Sequence, residues 1–334
     1  FFIMATQTTA NVKSAANAAD NWIDNAGSTT QVALEAQTFY DKTLLKRLVP
    51  SLVFAKFAQK GVIPRHGGNK INWRKFNSLA PATTALTEGV TPAGNALTMA
   101  QVQATLKQYG DFIEFSDVID VVGIDPVLTE GAEVLGEQAG LTIDTVMRDA
   151  FCKGTNVQYA NGKTAQTIAA ADVINGTDVR KMVRTLRKNN VKPINGYYIC
   201  IIDPEIAFDL QNDADWKTVN QYNRGGEAIY EGEIGKLFGV KFIETTNLLI
   251  KENQGASSAY VDTHCALCFG QGAFGMADVE GQGATKPRII VKPTGSAGTA
   301  DPLNQRSTEG WKTMFACTIL DNLAVVRYEC AVSA

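Results

Sequence analysis

The sequence predicts a mixed α+β chain of two lobes, and three observations carry that expectation. The chain has 334 residues, more than a single compact core usually holds. Strand-type alternation at 69–77 and 100–108 stands beside a helical three-and-four step over 126–153, so both kinds of element belong to one chain. Between 172 and 300 a capped helix, an apolar strand and a second capped helix follow one another, which reads as an α/β-like lobe inserted into an α+β frame. No internal repeat is visible.

Composition narrows the function classes. Hydrophobic residues make up 45% and charged residues 19%, the latter below the usual quarter. A surface so poor in charge suits a chain that neighbours cover. The net charge of −3 leaves no strongly basic domain of the kind that grips nucleic acid directly. Six cysteines are scattered without a disulfide framework and read as reduced thiols. No run reaches the ~18 apolar residues of a membrane span, and residues 5–30 hold no apolar core of a secretory signal. Phe1, Phe2 and Ile3 precede Met4 and are left out of the fold reasoning.

Residues 5–30 are small and polar, with Trp22 as the one large side chain. Such a stretch buries too little apolar surface to fold alone, so it is expected as an arm that lies on something else. From Gln31 to Lys60, Leu34, Thr38, Leu45, Leu48, Leu52, Phe54 and Phe57 fall near helical spacing. Pro50 divides the run, which predicts two short helices ended by Gly61. In 69–77, Ile71 and Trp73 oppose Lys70, Asn72 and Arg74; in 100–108, Val102, Ala104 and Leu106 oppose Gln101, Gln103, Thr105 and Lys107. Both are two-faced strands. Between them, 78–97 is mostly Ala, Thr, Gly and Pro. The pair predicts a protruding hairpin whose narrow apolar face needs a partner surface, and a loop that long is usually functional.

Asp125-Pro126 opens the strongest helix, with Leu128, Ala132, Leu135, Ala139, Ile143, Val146 and Ala150 on one stripe as far as about Lys153. At 1.5 Å per residue it spans roughly 40 Å. Gly131, Gly136 and Gly140 weaken it, which predicts another backbone packed close. Asn161-Gly162 predicts a tight hairpin. Thr177 or Asp178 is expected to cap a helix to about Asn190, with Val179, Met182, Val183 and Leu186 inward. Residues 197–202 (YYICII) predict a buried strand, and Asp203-Pro204-Glu205 the cap and first turn of another helix. Residues 213–235 read as loop, and Val240 to Glu244 and Ala259 to Phe269 as strands. A Gly-, Pro-, Ser- and Thr-rich stretch at 281–310 leads to two strands, Trp311 to Ile319 and Leu323 to Tyr328, around Asp321-Asn322.

Chemical motifs are scarce. Gly270-Gln-Gly272-Ala-Phe-Gly275 spells the dinucleotide fingerprint after an apolar strand and raises a nicotinamide-dependent oxidoreductase as the alternative. That chemistry needs a helix opening at the third glycine, with its N-terminus facing the pyrophosphate. Here no helical period follows, and Gly295 stands where the ribose-binding acid belongs; glycines in a tight connection explain the run better. His264, Cys265 and Cys268 supply three ligands where structural zinc needs four, and His66 is distant, so no metal or cofactor is expected. With two histidines, no Gly-x-Ser-x-Gly elbow and no Gly-Lys-Ser/Thr loop, nothing favours an enzyme. Arg180, Lys181, Arg184, Arg187 and Lys188 form a basic helix face, better explained as solvated, with cations near the helix C-terminus, than as a nucleic-acid patch.

At 231–245 the chain reads EGEIGKLFGVKFIET, where Gly232, Ile234, Gly235, Leu237, Gly239 and Val240 fill the pattern Gly-x-Ile-Gly-x-Leu-x-Gly-Val. With the closing EGWKTMFACTILDNLAVVRYE, it resembles the major capsid proteins of tailed bacteriophages, most like the group named after the coliphage N-four capsid protein. The resemblance runs from about Gln31 onward. It implies the Hong Kong ninety-seven phage type of capsid fold. Residues 1–30 become an N-terminal arm, 31–65 a helical segment leading into the peripheral domain, and 66–112 an extended β-hairpin loop lying over a neighbour. Residues 113–171 become the peripheral domain with spine helix 126–153, 172–300 the axial domain, and 301–334 strands returning to the peripheral domain.

The same resemblance implies copies of the chain assembled as pentamers and hexamers into an icosahedral head. Double-stranded DNA would be enclosed without sequence-specific binding. The expected location is the virion, after assembly in the bacterial host cytoplasm, with portal, scaffolding and decoration proteins as further partners and no membrane. An encapsulin or gene-transfer-agent shell is the alternative of the same fold. Subunit contacts are expected at Trp22, Trp73, Arg74, Lys75, Phe76, Glu88, Asn220, Tyr222 and Arg224. Lys75 and Glu88 lie in the loop, but neither fits the motif of members crosslinked through a lysine–asparagine isopeptide bond, so no crosslink is expected.

Overall fold

The computed structural model describes residues 53–122, 127–213, 216, 235–256, 260–280, 287–296 and 301–333. Strands β1 (Gln59–Ile63), β2 (Lys70–Phe76), β3 (Met99–Thr105) and β4 (Lys107–Ser116) come first, then helices α1 (Asp117–Val122) and α2 (Val127–Phe151). Next are β5 (Val157–Tyr159), α3 (Gly176–Lys188), β6 (Tyr198–Ile202) and α4 (Pro204–Asn212). The remaining strands are β7 (Lys236–Leu237), β8 (Val240–Glu244), β9 (Ile250–Lys251), β10 (Thr263–Phe269), β11 (Phe274–Val279), β12 (Arg288–Lys292), β13 (Arg306–Ile319) and β14 (Val325–Cys330). The α+β expectation holds.

A seven-stranded sheet runs in the order β5-β14-β10-β6-β8-β7, with β9 added on β10. β6 and β10 are buried along their whole length, because both faces are covered and the usual alternation is lost. Side chains of β14 divide between the two layers. Tyr328 donates its hydroxyl to Asp178 of α3 at 2.7 Å, while Arg327 donates to the carbonyl of Cys152, just beyond α2. The inward set of α3, Val179, Met182, Val183 and Leu186, is buried as expected. Its cap, however, is Asn175, whose side chain accepts from the Asp178 N–H at 3.0 Å. Asp178 falls inside the first turn because its buried carboxylate is held by Tyr328 and by Lys181. On α4, Asp203 accepts from the Ile206 N–H at 2.8 Å behind the first-turn proline, as the sequence predicts.

A five-stranded sheet has the order β1-β11-β13-β12, with β4 also on β13. Here the helical reading of 31–60 fails where it can be compared. Residues 54–56 form a 3-10 turn and 59–63 a strand parallel to β11; Pro50 lies outside the described residues. Gly61 sits inside the strand instead of ending a helix, since a Cβ there would come within 2.9 Å of Ile71 and 3.4 Å of Trp73. The chain is held at its entry by Asp144 of α2, a buried carboxylate accepting from the N–H groups of Val53 and Phe54 at 3.1 and 2.9 Å.

α2 spans 25 residues. Leu135 and Ala139 pack on Trp311 of β13, while Ile143, Met147 and Phe151 enter the main core. There Phe151 stacks on Phe274 at 4.0 Å and Phe274 meets Phe269 edge-on, joining the two sheets. Two of the three helix glycines do not answer to a neighbouring backbone. Gly131 gives way to the ring of Phe115, 2.6 Å from where its Cβ would be, and Gly136 faces open space.

Three further expectations change. Asn161 and Gly162 do turn with positive φ, 52° and 68°, but no hairpin forms, because β5 before them pairs in parallel with β14. The two closing strands exist, yet they part at Asp321: β13 joins the five-stranded sheet and β14 the seven-stranded one. β13 begins at Arg306, earlier than the expected Trp311, and β12 precedes it, so strand reaches into the stretch marked by its Gly, Pro, Ser and Thr content.

Candidate assembly surface

β2 and β3 pair antiparallel, with Ile71 opposite Ala104 and Trp73 opposite Val102. The expected narrow apolar face is there, but its partner surface comes from the same chain. A Cβ on Gly275 of β11 would stand 3.1 Å from the Trp73 ring, so Ile71 and Trp73 rest on the glycine-bared backbones of β1 and β11. Lys75 donates to Asp321 at 2.6 Å, a largely exposed pair worth at most about 1 kcal/mol. Arg74 and Phe76 are exposed at the outer end of β2.

Beyond that base the hairpin opens into residues 77–98. Asn77 and Thr98 close it with two hydrogen bonds of 3.0 Å, and every residue between them is exposed. Leu79, Leu86, Val90 and Leu97 stand in solvent, Leu86 at 77%. Glu88 is the loop's single charge. Large apolar side chains gathered on a protrusion mark a surface made for another protein. Trp22, Asn220, Tyr222 and Arg224 lie outside the described residues.

The Gly-x-Ile-Gly-x-Leu-x-Gly-Val motif has a packing role in its described part. Phe238 and Gly239 both take positive φ, 50° and 84°, the two-residue turn that joins tightly paired strands. It brings buried Leu237 opposite buried Val240. Arg180 of α3 lies over the Phe238 ring at 4.2 Å, so the basic helix face is partly engaged within the subunit.

The sequence's chemical motifs do not converge. After Gly270 and Gly272 the chain enters strand β11, where a dinucleotide site needs a helix N-terminus. His264 and Cys268 lie on one face of β10, Cys265 on the other. Burial pushes the thiols of Cys152 and Cys265 up to about 12 and that of Cys317 to about 11, far from the thiolate a nucleophile or metal ligand needs.

His264 instead joins Asp203 through Nδ1 and approaches Glu205 at 3.5 Å through Nε2. These three offer ligand atoms within 4.8 Å of one another. With Nδ1 committed to Asp203, only Nε2 and Glu205 remain free to bind, too few for a closed metal site. Burial alone would lower the imidazole pKa, but the hydrogen bond and charge of Asp203, with Glu205 and Asp262, hold it above the ordinary histidine value. Its stabilisation is therefore complete below about pH 6.5 and lost as pH rises through the folded value. Thermal unfolding of the unassembled subunit should show a midpoint that falls as pH rises above about 6.5, and less steeply in His264→Gln. Identical pH slopes would remove this role.

The family model described as phage capsid protein matches residues 98–328. No curated protein matches the sequence. Among solved structures, the Cyanophage Pam1 capsid superposes with a TM-score of 0.70 at 12% identity, covering 93% of this chain and 100% of that one. The capsid of Ralstonia phage GP4 gives 0.68 at 12%, with 93% and 99% covered. The capsid of Cyanophage P-SCSP1u gives 0.65 at 18%, with 93% and 97% covered.

Proposed function

The chain belongs to the phage capsid protein family, and from that premise we propose that its copies, grouped as pentamers and hexamers, close into an icosahedral head around double-stranded DNA. It is a structural protein of the virion capsid, not an enzyme. The observation that supports the assembly reading best is the exposed apolar loop 77–98 on a hairpin fixed at its base. A monomer gains nothing from such a protrusion, whereas a shell repeats the contact in every subunit and draws strength from the number of ordinary interfaces.

In this reading residues 66–112 are the extended loop, α2 is the spine of a peripheral domain, and the lobe of 172–300 is the axial domain near the capsomer centre. Trp22, Trp73, Arg74, Lys75, Phe76, Glu88, Asn220, Tyr222 and Arg224 contribute to subunit contacts. The net charge of −3 favours containment of DNA over gripping it. Portal, scaffolding and decoration proteins are further partners, and assembly takes place in the bacterial host cytoplasm. Quantitative mass spectrometry of DNase-treated virions tests this. The chain should be their most abundant component, in hundreds of copies; a handful of copies per particle would rule out a shell-building role.

A further inference from the structure

The sequence holds three Asn-Gly pairs, at 161–162, 175–176 and 195–196, and the fold treats them differently. Asparagine before glycine carries a built-in reaction. The glycine amide nitrogen attacks the asparagine Cγ, because no Cβ on the second residue blocks the approach. The new N–C bond closes a succinimide ring, the bond from Cγ to Nδ2 breaks, and ammonia leaves with the amide proton. Water then opens the ring at either carbonyl. One opening gives aspartate, the other isoaspartate, in which the chain runs through the side-chain carboxyl. The balance is one water in and one ammonia out. Two groups must be free for it, the glycine N–H and the asparagine Nδ2.

At the first two pairs one of these groups is bound. Asn161 donates its Nδ2 to Asp172 at 2.8 Å, a buried carboxylate that Lys163 and the Ala169 N–H also hold. At Asn175 the attacking group is taken instead. The Gly176 N–H donates to Asp213, and Gly176 is buried in the first turn of α3, where Asn175 Oδ1 caps the helix on the Asp178 N–H. To react, either pair must first break a hydrogen bond to a charged group, the stronger kind.

Asn195 and Gly196 are held by neither device. Both are exposed and form the tip of a two-residue turn with positive φ, 49° and 87°. Backbone bonds of 2.8 and 3.0 Å between Ile194 and Tyr197 close that turn. Neither the Asn195 side chain nor the Gly196 N–H has a hydrogen bond among the described residues. Ring closure then requires only that an exposed tip open locally, which costs far less than disturbing the core. We propose that Asn195 is a self-modifying site, which converts to aspartate and isoaspartate in the folded chain while Asn161 and Asn175 persist. The product places a negative charge beside Tyr197, whose ring carries Lys236 Nζ at 4.4 Å. Isoaspartate also lengthens the backbone by its Cβ just before β6. The inference concerns the single subunit and stands apart from the shell reading.

Peptide mapping by mass spectrometry tests it in the native full-length chain, kept as the unassembled subunit at mildly alkaline pH and sampled over time. The mass shift from amide to acid should appear at residue 195 about tenfold faster than at 161 or 175, the rate equivalent of one hydrogen bond to a charged group. An isoaspartate methyltransferase should label the peptide that carries residue 195. A parallel incubation in urea separates the fold from the local sequence. There the three rates should converge, since the bonds that protect Asn161 and Asn175 are gone. Conversion at 161 or 175 that keeps pace with 195 in the folded chain overturns the proposal. So does an Asn195 that survives in the folded chain while it reacts in urea, or a lead for residue 195 that urea leaves unchanged.

Discussion

Replacing residues 78–97 with a short Gly-Ser turn will leave a subunit that folds normally and builds no shells. The segment contains no regular element and no buried residue, so its removal takes nothing from the core. The closing bonds of Asn77 with Thr98 remain, and shortening the loop to a turn of about four residues lowers the closure cost by only about 1.4 kcal/mol. Urea unfolding should therefore give the shortened subunit a free energy of unfolding no lower than the native one, and higher by at most about 1.5 kcal/mol. Assembly should respond very differently. Leu79, Leu86, Val90 and Leu97 are each more than half exposed, and a fully buried aliphatic side chain contributes about 2 kcal/mol. Even after ordering costs are set against that gain, several kcal/mol per contact is lost, multiplied over the copies that make a shell. Light scattering and negative-stain microscopy read the outcome, and shells at native yield would show the loop to be dispensable.

How far the sequence could lead here depends on how local each feature is. The inward stripe of α3 and the Asp203 cap of α4 were legible because three or four neighbouring residues encode them. β1 was not, since Leu52, Phe54 and Phe57 fall at helical spacing by coincidence and Gly61 looks like a terminator. Its real reason, room for Ile71 and Trp73, becomes visible only when distant segments meet. β12 and the first turns of β13 escaped for another cause. All five residues of β12 are exposed, so no alternation between core and solvent was there to read. The closing strands were recognised as strands, but which sheet each joins is decided by partners far away in the chain. The loop of the candidate assembly surface was legible as length and composition.

Glu329→Gln should destabilise the subunit by about 3 kcal/mol or more, the largest expected effect of a single side chain. Glu329 is fully buried in β14, with Lys251 Nζ at 2.6 Å and Arg327 Nε at 2.8 Å. Its second carboxylate oxygen has no hydrogen-bond partner among the described residues, so the pairing with two cations is what holds the charge in the sheet. An amide of the same shape leaves both cations uncompensated in a place with little water. Lys251→Met alone should also be costly, but the double variant should cost less than the sum of the singles by about 1–3 kcal/mol, the coupling expected of contacting residues. Lys75 and Asp321 form an ion pair of the same 2.6 Å length at the hairpin base, yet Lys75 is 71% exposed there and 25% describes Lys251. Lys75→Met should therefore change stability by no more than about 0.5 kcal/mol, and added salt should weaken that small effect further. Urea unfolding of the two variants side by side separates burial from distance as the governing variable: if Lys75→Met costs as much as Glu329→Gln, the assignment of the stabilising role to desolvation is wrong.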